Sequence, residues 1–216
     1  MDSRQVMLAQ AGLCVTALLA GCESQQPTSR LAQFDRSYRM GCAELSMGDA
    51  KAAREHFQAA AGFRNDHALT HYYLGVSHAM LHEDDQALVG LGRAIRLDPT
   101  LAAAYYNIGT IHLRHRRFRQ AAEALEKSVE LDADNPKAFN NLAKAYYMLT
   151  LPELAVTAYE TALQLDPNSR NALAGLCRLA LAAGSKDRAS QYLRRLERLD
   201  PDAPDVVELR RSVAKN

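Results

Sequence analysis

From Pro136 to Ser169 the apolar residues fall on two helical faces joined by a turn. Phe139, Leu142, Ala143, Tyr146 and Leu149 recur at three- and four-residue steps, the spacing that stacks side chains on one side of an α-helix. Leu154, Ala155, Ala158, Tyr159, Ala162 and Leu165 do the same in a second helix. Between them Leu151-Pro152-Glu153 sets a proline in the first turn and an acid beside the positive end of the helix. Asp166-Pro167-Asn168 then stops the second helix.

The unit returns with a fixed period. Ala53, Ala87, Ala121, Ala155 and Ala189 stand 34 residues apart, without insertion or deletion. The same frame aligns Gly41, Gly75, Gly109, Ala143 and Cys177, with Met40, Leu74, Ile108, Leu142 and Leu176 just before them. It also aligns Leu97-Asp98, Leu131-Asp132, Leu165-Asp166 and Leu199-Asp200, three of them followed by proline. Small side chains are needed where helix axes approach closely, and large ones fill the space beside them.

These columns resemble the tetratricopeptide repeat, a helix–turn–helix unit of this length and this small/large/proline pattern. The resemblance implies an all-α fold, a right-handed superhelical α-solenoid of five repeats. The frames run 34–67, 68–101, 102–135, 136–169 and 170–203. The first departs from the pattern, with Asn65 where proline is usual and Ser37 where an aromatic is preferred. After Ala203-Pro204-Asp205 a last helix, Val206 to Ala214, has the apolar positions to cap the open end, so residues 204–216 are expected to be a capping helix. The alternative use of that apolar face is homo-oligomerisation.

Residues 1–21 are of another kind. Arg4 and the amino terminus outweigh Asp2, and an apolar stretch from Val6 to Leu19 is interrupted by Gln10 and Thr16. It is too short for a confident membrane span, which needs about 20 residues, and reads as an export signal. Leu19-Ala20-Gly21-Cys22 resembles the lipobox of bacterial lipoproteins, which implies lipidation of Cys22 after cleavage before it. Glu23 is not the aspartate that in the enterobacterial family rule favours inner-membrane retention, so a lipid anchor at the periplasmic face of the outer membrane is expected. Residues 22–33, rich in Gln, Ser and Thr, read as a polar tether.

Charge excludes one class of partner. Removing Arg4 and Asp2 from 26 basic and 25 acidic residues leaves the formal charge at +1, so no global field points to nucleic acid. Of four cysteines, Cys14 leaves with the signal and Cys22 is the lipid site. Cys42 and Cys177 lie four repeats apart, too far for a disulfide, and read as buried thiols in place of small residues.

Other candidate chemistry has a plainer reading beside it. His78 and His82 are one helical turn apart, with His112 one repeat later, a weak metal signal. His71 and His78, however, fill columns held elsewhere by Tyr105, Phe139 and Tyr146, which reads as packing, so no metal site is expected. Val89-Gly90-Leu91-Gly92 lies inside a helix with no preceding strand, hence is no phosphate loop. Its two glycines are expected to cost about 1 kcal/mol each and soften that helix. Arg114-His115-Arg116-Arg117-Phe118-Arg119 falls on a turn and is either a solvated turn or a surface for anionic lipid or an acidic partner.

No nucleophile–base pair or paired carboxylate stands out, so no enzyme and no cofactor are expected. The resemblance implies a concave groove, lined by the first helices, that receives peptide. Carried over by alignment, it holds Tyr38, Tyr72 and Tyr106 as a ladder, followed by Asn107, Lys137, Asn140, Asn141, Lys144 and Arg178. One end is aromatic and the other amide-rich and basic, which suits a peptide with an apolar anchor and an acidic or carboxylate end. The tyrosines have packing and binding as equal readings. In size, anchor and repeat count the chain is similar to tetratricopeptide lipoproteins such as pilotins of type IV pilus secretins and assembly lipoproteins of tight-adherence pili. That likeness implies a membrane-anchored adaptor in assembly of an envelope machine. The alternatives are a scaffold docking peptidoglycan hydrolases or a periplasmic protease, or a cytosolic regulator.

Overall fold

The computed structural model describes residues 29–215, and all regular structure among them is helical. Eleven helices follow one another: α1 Arg30–Met47, α2 Ala50–Phe63, α3 Ala68–Met80, α4 Asp84–Leu97, α5 Ala102–Arg114, α6 Phe118–Leu131, α7 Pro136–Met148, α8 Pro152–Leu165, α9 Arg170–Ala182, α10 Lys186–Leu199 and α11 Pro204–Lys215. Each odd-numbered helix from α1 to α9 forms a hairpin with the next, and successive hairpins stack, which is an α-solenoid. None of the described helices is long and apolar enough to cross a membrane. The expected signal and Cys22 lie outside the described residues.

The alanine column is the axis of each hairpin. Ala53, Ala87, Ala121, Ala155 and Ala189 are all fully buried. Gly41, Gly75 and Gly109 face Phe57, Leu91 and Leu125 of their own hairpins, and a Cβ on any of the three would stand 2.5–2.8 Å from those side chains. The large residue therefore occupies the space that the glycine leaves empty.

The joints between hairpins are built from the aspartates. Asp98, Asp132 and Asp166 accept backbone N–H bonds from the residues two further on, Thr100, Asp134 and Asn168, closing a local turn after each second helix. Asn135 caps α7 from its side-chain oxygen, with Pro136 in the first turn.

One boundary differs from expectation. α1 starts at Arg30, inside the stretch read as tether, because Ser29 caps it and Arg30 donates to the carbonyls of Phe63 and Gly62 at the end of α2. At the other end, Val206, Leu209 and Val213 of α11 are buried against Leu173, Cys177, Leu193 and Leu196 of the last hairpin. The apolar face proposed as an alternative for homo-oligomerisation is thus spent on closing the chain's own stack.

Candidate functional site

The tyrosine ladder is embedded in the stack. Tyr38 stacks on Phe34 and meets Phe57 and His67 edge-on, with ring centroids 5.2–5.9 Å apart. Burial pushes its hydroxyl up to about 12, with Cys42 and Tyr73 adding to the effect. Tyr72 packs against the core between α3, α4 and α5, and its hydroxyl accepts a long bond from Asn107 Nδ2 at 3.4 Å. Tyr106 packs against the cluster of Ala121, Leu125 and Leu142. All three are half-buried.

The amide and basic residues are arranged differently. Asn140, Asn141, Lys144 and Arg178 line one cavity of about 440 Å³ between α7 and α9, with Tyr147 and Tyr159. Asn107 and Lys137 are not among its lining residues. The column itself explains the opening: the position held by Tyr38, Tyr72 and Tyr106 becomes Asn140 and then Ala174, and Gly175 follows. Where ring volume is withdrawn, a cavity remains.

Inside it, Asn140 is only 8% exposed, and its Nδ2 donates to Ser169 Oγ at 2.8 Å. Its Oδ1 is buried without a partner. An unmet buried acceptor costs about 1–3 kcal/mol. Asn141 Nδ2 donates to Thr110 Oγ1 at 3.1 Å, tying α7 back to α5. Lys144 and Arg178 are exposed, with no anion paired to either among the described residues. Tyr159 forms the floor; burial and Tyr147 raise its hydroxyl to about 12 although Arg178 opposes them. The site therefore offers an apolar floor, neutral amides and a cationic rim. Asn171, Tyr159 and Asp205 also line it, and sequence reasoning missed them. Asn171 shares the column of Lys137, which was a usable signal; Asp205 lies beyond the repeats, where alignment is silent.

The other candidates resolve into structure. His78 Nδ1 lies 2.6 Å from Glu83 Oε2, which also receives Arg54 from the preceding hairpin. His82 turns the other way, toward Arg114. Among the described residues no group of three or more His, Cys, Asp or Glu is placed to hold a metal. Arg114 and His115 are tied to Asp84 of the preceding hairpin, which leaves only part of the basic stretch unpaired. Cys42 and Cys177 are free thiols, half-buried and buried.

Family models described as tetratricopeptide repeat match residues 38–104, 106–169 and 151–213, most of the chain. The chain belongs to the tetratricopeptide-repeat family. Proteins of this family are protein-interaction scaffolds and generally not catalysts. Among solved structures, MamA protein is 20% identical, covers 85% of this chain and 94% of its own, and superposes with a TM-score of 0.69. YrrB, described as a tetratricopeptide protein with an unusual peptide-binding site, is 15% identical over 81% of this chain and 90% of its own, TM-score 0.71. PilF of Pseudomonas aeruginosa is 20% identical over 87% of this chain and 99% of its own, TM-score 0.59. At these identities the likeness is one of tetratricopeptide fold. No curated protein matches the sequence significantly.

Proposed function

We propose that this chain is a lipid-anchored adaptor at the periplasmic face of the outer membrane, which holds a segment of a partner protein during assembly of a pilus or secretin-type machine. Cys22 is the anchor, and the tetratricopeptide solenoid is the binding body. The observation that carries the binding reading is the cavity between α7 and α9, with Asn140 and Asn141 in its wall and Lys144 and Arg178 at its rim. A segment with an apolar side chain over Tyr159 and a carboxylate for Lys144 and Arg178 fits this lining, while Asp205 at the far wall is already paired with Arg170. The tyrosine ladder serves packing, so the binding residues are Asn140, Asn141, Lys144 and Arg178. The anchor and the assembly role are supported by the sequence layout alone.

The test is photocrosslinking in cells from a photoreactive residue at Tyr147, which lines the cavity and is 40% exposed. A pilus subunit or secretin as the adduct is the expected outcome. A cell-wall enzyme would replace the assembly role with a docking scaffold, and absence of any adduct would remove this cavity as the binding site.

A further inference from the structure

Among the described residues the two ends of the solenoid are finished differently. α11 covers the last hairpin with Val206, Leu209 and Val213, whereas among the described residues no helix lies on the side of α1 away from α2 and α3. That outer face carries Ala32, Arg36, Arg39, Met40, Ala43 and Met47, all exposed and spaced to fall on one side of the helix. Met47 is 70% exposed and Met40 39%.

The face is basic as well as apolar. Among the described residues Arg36 and Arg39 make no ion pair, although other arginines of the chain find carboxylates. Of the acids of α1, Asp35 shares a shallow pocket with Ala32, Arg36, Arg39 and Met40, so the two arginines outnumber it there, and Glu44 falls outside that pocket. Methionines are adaptable apolar side chains, and arginines can lay their stems along an apolar surface while the guanidinium meets an anion.

The covalent chain leads to this place. Arg30 pins the start of α1 to the end of α2 through the Phe63 and Gly62 carbonyls, so the entry point is fixed. Seven residues separate Cys22 from Arg30, and at no more than about 3.6 Å each they span at most about 29 Å over the eight links. α1 itself, with 18 residues, is about 27 Å long. A lipid on Cys22 would therefore hold this end of the stack within about 29 Å of the bilayer.

We infer that the outer face of α1 is a docking surface for an anionic phospholipid bilayer, seated there by the lipid on Cys22. This rests on the anchor in the proposed function. Docked on this face, the stack would meet the membrane with its first hairpin and hold the cavity between α7 and α9 away from it, open to a partner.

The experiment uses the full chain in cells, with a photoreactive residue at Ala43 on α1 or, as a control, at Arg211 on α11. Phospholipid adducts from Ala43 and none from Arg211 are expected, and Arg36→Gln with Arg39→Gln should lower the Ala43 yield about tenfold or more, two interfacial charges being lost. A protein adduct at Ala43, a second copy of this chain included, would overturn the docking, as would no adduct from a protein that Cys22 still holds in the membrane fraction. The anchor is read separately: a protein that is soluble both with Cys22 and after Cys22→Ala overturns the anchor and the docking with it.

Discussion

The ring of Tyr159 in α8 occupies the space where Gly175 of α9 lacks a side chain, and a Cβ at 175 would overlap that ring. In the first three hairpins the equivalent large residues, Phe57, Leu91 and Leu125, face a glycine of their own hairpin. In the fourth that column holds Ala143, and Tyr159 is received by the next hairpin instead. Gly175→Ala gains about 1 kcal/mol in helix propensity but incurs an overpacking cost of about 1–3 kcal/mol. A net loss of about 1 kcal/mol is expected by urea unfolding. In a Tyr159→Leu background, which restores the residue of the neighbouring columns, the same alanine should cost nothing.

The two glycines of α4 part company. A Cβ on Gly90 would lie 3.0 Å from the backbone of Gly75, where α3 and α4 cross, while one on Gly92 would meet only Arg96 Nη1 at 3.6 Å. The expectation that both merely soften the helix therefore holds for Gly92 alone. Gly92→Ala should stabilise by about 1 kcal/mol, and Gly90→Ala should destabilise by a similar amount because helical backbone cannot retract as a side chain can. Thermal unfolding of the two single variants decides it.

The columns of Ala53 and Gly41 were legible in the sequence because close helix approach admits only small residues, so chemistry repeats wherever geometry does. The tyrosines at 38, 72 and 106 repeat equally well, yet periodicity places a residue on a helix without saying which neighbour covers it. The cavity was legible only in part. Lys144 and Arg178 announced charge, but its volume comes from what Ala174 and Gly175 lack, and its far wall from Asp205 outside the repeat.

One column escaped notice because its residues differ while its backbone does not. Gly48, His82, Arg116, Thr150 and Gly184 are spaced by the repeat length, and all have positive φ, between 58° and 82°. They end the first helix of each hairpin in the left-handed conformation, which costs a residue with a side chain about 1–2 kcal/mol. Thr150, being β-branched, is the most strained. Thr150→Gly should raise stability by about 1 kcal/mol, and Gly48→Ala or Gly184→Ala should lower it by a similar amount. Chemical denaturation of the three variants is the measurement.

Lys144 and Arg178 flank the cavity with no ion-pair partner among the described residues. Replacing each with methionine keeps the apolar stem and removes the charge. Each change should weaken an acidic peptide about two- to fivefold, as exposed ion pairs do, with the loss shrinking at high salt. Tyr38→Phe should leave affinity unchanged, since its ring packs against Phe34, Phe57 and His67. Calorimetry with the segment identified by crosslinking compares the three.

His112 gives the fold a pH dependence of known sign. Its Nδ1 is buried without a partner, and its pKa lies below the ordinary 6.5, through burial first and then the positive charges of Arg117 and His115, with Glu123 opposing. His67 is lowered in the same way by burial and Arg64. A depressed imidazole means that the unfolded chain takes up its proton first as pH falls, so stability declines from about pH 6.5 downward until the folded group also protonates. Glu83, held low by His78 and Arg54, acts further down: its contribution is present above the ordinary carboxylate value of 4.5 and is lost as pH falls through its lower folded value. His112→Phe removes one of the two imidazoles and the unmet Nδ1, at a column position that Tyr146 fills in the next repeat. It should add about 1 kcal/mol at pH 7.5 and more at pH 5.5, flattening the slope between them. Urea midpoints of both proteins at the two pH values test this: an unchanged slope would assign the acid sensitivity to His67 or to another group.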